Sequence, residues 1–233
     1  MVKTDFLKFE ESRGFFGRRL GRPLSPARQK ALDELYPQYA IDQAKINEDG
    51  ALNLFQNGQK TIFEIGFGDG DRLAQMIERH PDYNYIGAEP YKNGMSAFLL
   101  SLKTQANNVR LSMDDAMPLA RSLTDDSIDE LYILNPDPWH KTKHHKRRIV
   151  NTKNLNEFAC ILKPNGLLYM STDVPYLAEW MVAHAVHHPA FEWTANSKSD
   201  WETPPKDWIH TTYETKGAKG AKVMHYFIFK RKA

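Results

Sequence analysis

From Thr61 to His187 the chain alternates short apolar runs with amphipathic stretches, and this alternation restricts the fold more than any other feature. Thr61–Gly66, Tyr83–Glu89, Val109–Met113, Ile128–Leu134 and Leu167–Thr172 have the length and apolar content of buried strands. Asp71–Arg79, Met95–Thr104, Asn154–Leu162 and Pro175–His187 carry helical spacing. Pro81 and Lys163-Pro164-Asn165-Gly166 supply stop signals, and Pro175 suits a first helical turn. The alternation predicts an α/β fold, a doubly wound parallel sheet with helices on both faces. Two more strand-like runs follow, Phe191–Ala195 and Lys222–Lys230. The last is apolar at both alternating sets of positions, as in a strand buried on both faces. About two dozen residues without periodicity separate them, a length that in a compact domain marks a functional or disordered loop.

Other features set the boundaries. The 233 residues can bury a large core, and mean hydropathy is −0.59. No apolar run approaches the roughly 20 residues that cross a bilayer, and the first residues lack a signal-peptide core. These features predict a cytoplasmic protein without a membrane partner. The single cysteine, Cys160, excludes an intrachain disulfide and reads as a buried packing residue in Phe158–Leu162. Residues 1–25 read as a basic arm. Ser25–Ala44 reads as a helix capped by Ser25, with Leu32, Leu35, Tyr36 and Tyr39 on one face. The expected division is an arm and helix over 1–45 and one domain over 46–233.

Glu64-Ile65-Gly66-Phe67-Gly68-Asp69-Gly70 follows the first strand and opens a helix. Its glycines allow a tight turn and close approach of a ligand. The spacing departs from the Gly-x-Gly-x-x-Gly of dinucleotide sites. Glu64, Asp69 and Asp71 would repel a pyrophosphate but suit a ligand with a cationic centre and an ammonium group, such as S-adenosylmethionine. Glu89 ends the second strand, where a carboxylate can accept from ribose hydroxyls. Asp115 follows the third strand, where an adenine edge would lie.

The fourth strand runs into Asn135-Pro136-Asp137-Pro138-Trp139, followed by a cationic run from Lys141 to Arg148. The prolines stiffen the backbone around Asp137. Trp139 offers a face for a nucleobase, and the cations can hold phosphates. Net charge is only +2, so the clustering rather than the total points to a polyanion. A turn aspartate capping its own backbone and a solvated basic face are the plain alternatives. Cations at a helix start oppose the macrodipole, which argues for a function. His140, His144 and His145 lack companion ligands for a metal, and no metal is expected. His184, His187 and His188 read as surface or helix-end residues.

Together these motifs resemble the bacterial tRNA (guanine-N7-)-methyltransferases over roughly residues 55–230. The shared segments are Glu64–Gly70, Gly87–Glu89, Asp115-Ala116, Pro136–Trp139, the basic run to Arg148, Thr172-Asp173 and Thr211–Glu214. The resemblance implies a Rossmann-like class I methyltransferase with a mostly parallel seven-stranded sheet and an antiparallel C-terminal strand. It implies transfer of a methyl group from S-adenosylmethionine, leaving S-adenosylhomocysteine, to N7 of guanine 46 in the tRNA variable loop. Glu64, Gly66, Gly68, Gly70, Glu89, Asp115 and Asp137 would line the donor site, with Asp137 as the active-site residue. Lys141, Asp173, Thr211, Thr212, Tyr213 and Glu214 would contact the substrate. Lys143, His144, His145, Lys146, Arg147 and Arg148 would contact RNA. The expected assembly is a monomer or homodimer. Asn135 departs from the family, where an aromatic or apolar residue is common.

Two alternatives remain open from the residues. Asn135-Pro136 begins like the Asn-Pro-Pro-Tyr motif of enzymes that methylate exocyclic amines, although Asp137 interrupts it. A non-catalytic RNA-binding module with the same fold would have no use for the four acidic positions of the donor site. The loop carrying Trp201, Trp208 and Tyr213 either closes over the base or anchors itself in the core.

Overall fold

The structure is a computed structural model that describes residues 17–42, 51–102, 106–216 and 223–233. Strand β1, Thr61–Ile65, is buried throughout. Its side chains alternate between two cores: Phe63 and Ile65 join one, and Ile62 joins the other. Full burial of a side chain such as Phe63 contributes about 2 kcal/mol. Asn84–Ala88 (β2), Val109–Ser112 (β3), Ile128–Leu134 (β4) and Leu162–Thr172 (β5) run parallel to β1. Phe191–Trp193 (β6) and His225–Arg231 (β7) complete the sheet in the order β3-β2-β1-β4-β5-β7-β6. Strand β7 lies antiparallel to both neighbours. The strand order reverses between β1 and β4, so a crevice opens beyond their carboxyl ends, where open α/β sheets bind ligands.

The helices cover both faces. Pro26–Lys30 (α1), Tyr36–Tyr39 (α2), Asp71–Arg79 (α3) and Lys92–Ser101 (α4) lie on one side. Leu32, Tyr39, Leu73, Met76, Phe98 and Leu99 pack there with Ile62 and Tyr85. Ala116–Ser122 (α5), Thr152–Ile161 (α6) and Pro175–Val186 (α7) cover the other side. Two short helices follow, Ser199–Glu202 (α8) and Thr212–Lys216 (α9). Among the described residues no helix is long and apolar enough to cross a membrane.

Several local expectations change. The helix begun at Pro26 ends at Tyr39, with a π-turn over Ala31–Leu35 in which the Tyr36 N–H reaches the Ala31 carbonyl. Pro37 lacks an N–H and crowds the carbonyl four residues back, which a wider turn relieves. Helix α5, too short and proline-interrupted to read from periodicity, is capped by the Asp115 side chain. Strand β5 starts at Leu162, so the Lys163–Gly166 stop signal ends α6 and leads directly into the strand. Asn165 takes a positive φ of 66° there. Cys160 is exposed, since α6 buries Leu155, Phe158 and Ala159 on the opposite face. His188 is buried. It donates through Nε2 to Asn156 Oδ1 and accepts the Ala190 N–H at Nδ1, a neutral arrangement consistent with its lowered pKa. The boundary expected at 45/46 and the expected strand start at Lys222 lie outside the described residues.

Candidate active site

The chain leaves β1 in a tight turn in which Gly66, Gly68 and Gly70 take φ of 74°, 60° and 74°. L side chains resist that region by roughly 1–2 kcal/mol per residue. A Cβ on Gly66 or Gly68 would meet nothing within 4 Å, so both border open space. Gly70 differs, because a Cβ there would lie 2.4 Å from Phe98. Its smallness serves the packing of α3 on α4 rather than the open side.

Glu89 lies at the mouth of this turn, just past β2, and is buried. Its Oε2 accepts the Gly68 N–H at 2.7 Å and its Oε1 accepts the Tyr91 N–H at 2.8 Å. Burial pushes its pKa up to about 7 against those two hydrogen bonds, and the nearby charges of Asp137 and Asp69 add to the rise. A carboxylate offers about four lone-pair positions, so two remain for a ligand. Asp115 is half-buried past β3, with Oδ1 accepting the Met117 N–H at 3.0 Å.

Glu64 faces the α1–α4 side, not the open side of the turn. Its Oε2 pairs with Arg72 Nη1 at 2.8 Å, with both side chains almost fully buried. Desolvation raises the Glu64 pKa, and Arg72 opposes the rise. The Arg72 guanidinium stacks 4.1 Å from the Tyr132 ring centre and 5.1 Å from that of Trp208. Arg72 is not among the residues expected at the site. A signal existed, an arginine beside Leu73 where α3 turns its buried face inward.

Asn135 continues β4 through a hydrogen bond from its N–H to the Ser171 carbonyl. Its φ is +48°, unusual before a proline, and Trp139 also takes a positive φ of 44°. Two such residues around Asp137 store about 1–3 kcal/mol of strain each, a pattern typical of sites. Asp137 itself is exposed. Trp139 is not a free stacking face, because Arg147 lies 5.0 Å over its ring and His144 meets it edge-on.

The long segment before β7 folds back over these strand ends. Asn135 Nδ2 reaches Thr211 Oγ1 at 3.4 Å, and Thr212 Oγ1 donates to Asp71 at 2.6 Å. The Tyr213 hydroxyl lies 3.2 Å from both oxygens of Asp173, which is buried at the end of β5. Glu214 Oε2 gathers donors from Trp208, His210 and the Thr211 N–H. Glu214 Oε1 and Asn135 Oδ1 are buried without a hydrogen-bond partner among the described residues. Trp208 packs against Tyr226, and Trp201 against Trp193, so both tryptophans anchor the segment. Tyr213 stays exposed at the mouth.

The basic run forms its own 3-10 helix over Thr142–Arg147, separate from α6, whose cap is Asn151. Its cations therefore do not stand at the start of α6 and do not oppose that helix's macrodipole. Lys141, Lys143 and Lys146 are exposed, while His144, His145 and Arg147 are half-buried. Arg148 is buried and donates from Nε to the Pro138 carbonyl at 2.9 Å. It braces the Pro136–Pro138 turn from behind, buried where the other members of the expected RNA-contact run are exposed or half-buried. Among the described residues no three His, Cys, Asp or Glu side chains gather as metal ligands.

The sheet order with its antiparallel β7, and the glycine turn followed by Glu89, define a Rossmann-like class I methyltransferase fold. A solved structure described as the 16S rRNA methyltransferase KamB shares this fold. Its TM-score is 0.51 and its identity 13%, covering 93% of this chain and 99% of that one. A family model described as "Putative methyltransferase" matches residues 58–226. The tRNA (guanine-N(7)-)-methyltransferase of Agrobacterium fabrum is 36% identical, covering 98% of this chain and all of that one. The enzyme of the same description from Azorhizobium caulinodans is 39% identical over 98% of this chain and 99% of its own length. The chain belongs to the tRNA (guanine-N(7)-)-methyltransferase family.

Proposed function

We propose that this protein methylates N7 of guanine in tRNA, at position 46 of the variable loop, with S-adenosylmethionine as donor. The observation that carries the reading is the convergence of Glu89, Asp137, Asp173 and the Thr211–Glu214 segment on the carboxyl ends of β1, β2, β4 and β5. The residues fit the donor. The backbone at Gly66 and Gly68 borders open space, and Glu89 retains lone pairs for ribose hydroxyls. Asp115 stands at the next strand end for the adenine edge. Bound there, S-adenosylmethionine would supply an electrophilic sulfonium methyl.

Guanine N7 carries an in-plane lone pair and no proton, so no residue has to act as a base. The methylated ring becomes cationic, and an exposed carboxylate at Asp137 stabilises that charge. Asp173 and Glu214 are acceptors for the N1–H and 2-amino edge of the base. Tyr213 occupies Asp173 here and would yield it to the incoming base. Glu214 Oε1 and Asn135 Oδ1 add two buried acceptors in want of donors. The rigid Pro136-Asp137-Pro138 turn, braced by Arg148, holds the carboxylate in place, and alignment of this kind supplies much of the acceleration. The exposed Lys141, Lys143 and Lys146 would attract RNA phosphates. The protein would act in the cytoplasm as a monomer or homodimer.

Transfer of labelled methyl to an unmodified tRNA transcript tests the reading, with a transcript bearing adenine at position 46 as control. Asp137→Asn should lower kcat on the order of 100-fold. Equal labelling of the control transcript contradicts the position, and full kcat in the variant removes Asp137 from the reaction.

A further inference from the structure

Beside the candidate site an open groove of about 490 Å³ runs between the basic 3-10 helix and α7. His140, His145 and Arg148 line one side, and Tyr176, Glu179 and Trp180 line the other. We propose that this groove binds one unstacked nucleotide of the RNA substrate, next to the base that is methylated. The inference rests on the proposed RNA methyl transfer and adds a second contact point to it.

The groove is built to present aromatic surface. Tyr176 stands in the first turn of α7, 38% exposed, one of few large apolar residues at the described surface. Its hydroxyl is tied to His140 Nδ1, which fixes the ring instead of leaving it to swing. Trp180 backs the groove, packed between Arg148 at 4.7 Å and His184 at 4.4 Å and held by a 2.6 Å hydrogen bond from Nε1 to the Val150 carbonyl. The exposed, fixed Tyr176 ring offers a face to an unstacked base, the usual mode of RNA recognition outside duplexes. The volume lies within the roughly 300–1,000 Å³ of ligand clefts.

Charge selects the occupant. The Arg148 guanidinium lies 4.7 Å from the Trp180 ring centre and 5.4 Å from that of Tyr176. Its Nη2 is buried without a hydrogen-bond partner among the described residues. Lys141, Lys143 and Lys146 stand exposed on the same basic segment. An anionic ligand with flat rings satisfies both walls, whereas an apolar peptide leaves the cations unmatched. Glu179 repels a phosphate but accepts from a base amine, so the base belongs toward α7 and the phosphate toward the basic helix. Arg148 also links the groove to the turn of the reaction site, since it donates to the Pro138 carbonyl next to Asp137. A nucleotide seated here would brace the turn that carries the proposed catalytic carboxylate.

The test compares Tyr176→Ala and Tyr176→Phe with the unaltered protein in tRNA binding across a salt series. Loss of the ring should weaken binding roughly tenfold, with little effect on S-adenosylhomocysteine affinity and no change in the salt slope. The phenylalanine variant should bind more tightly than the alanine variant. Lys143→Ala gives the contrast, a slope smaller by about one. Because a variant can misfold, the unaltered protein is also photocrosslinked to tRNA carrying 4-thiouridine next to the target. Crosslinks should map to the peptide holding Tyr176 and Trp180. Unchanged tRNA affinity in Tyr176→Ala, or crosslinks only elsewhere, overturns the groove, as does a protein ligand competing for Tyr176 without affecting tRNA. An unaltered protein that neither binds nor methylates tRNA fails the proposed function itself, a distinct outcome.

Discussion

Glu89 makes a prediction that separates its structural cost from its use. Its carboxyl is buried, and its pKa rises from 4.5 to about 7 although two backbone N–H groups favour the ionised form. A group whose folded pKa lies above its unfolded value stabilises the fold most below the unfolded pKa. That contribution is lost as pH rises through the folded one. For Glu89 the loss spans pH 4.5 to about 7 and amounts to about 3 kcal/mol. Glu89→Gln removes the titration and turns an amide donor toward one of the two backbone N–H groups, a pH-independent penalty of about 1–3 kcal/mol. Urea unfolding of both proteins at pH 4.5, 6 and 7.5 gives the assay. The unaltered protein should lead by about 1–3 kcal/mol at pH 4.5, and by pH 7.5 the balance should move about 3 kcal/mol toward the variant, erasing or reversing the lead. Ribose hydroxyls donating to Glu89 favour its charged form. S-adenosylhomocysteine binding near pH 6.5 should therefore release up to about three-quarters of a proton, seen as a buffer-dependent enthalpy. Parallel stability profiles, or an enthalpy independent of buffer, would refute the reasoning.

Two further perturbations follow from the same turn. Arg72→Met strands the Glu64 carboxylate in the core and should destabilise the protein by about 3–5 kcal/mol. Adding Glu64→Gln should recover much of that in chemical denaturation, and no recovery would mean that the pair is not what Arg72 supports. Gly68→Ala should cost about 1–2 kcal/mol and mainly weaken donor binding. Gly70→Ala meets Phe98 as well and should cost on the order of 3 kcal/mol or more. Equal stability of the two glycine variants would contradict the packing role of Gly70.

The sheet was legible in the chain because a strand needs only a short apolar run and a crossover helix only its 3.6-residue period. Both signals are local. The placement of Glu89 and Asp137 at strand ends was legible for the same reason, since the last apolar residue marks where each strand stops. Contacts between distant segments were not. Asn135 and Thr211 are 76 residues apart, and Tyr213 and Asp173 are 40 apart, so their meeting depends on how the tail crosses the sheet. Arg148 was hidden by its company. A run of exposed cations masks the one that packs on Trp180, although the apolar Ile149-Val150 that follows marks where the chain turns inward. Glu64 has a partner that its local sequence does not announce. An acid at the end of β1 suits a charged ligand, yet the strand's alternation turns it toward Arg72.

The central claim is that this site delivers a methyl group to a ring nitrogen that needs no deprotonation. The most direct measurement is nucleoside analysis of unmodified tRNA after incubation with S-adenosylmethionine and the protein. The expected product is 7-methylguanosine. Methyl on an exocyclic amine, or tight tRNA binding with no transfer, would contradict it.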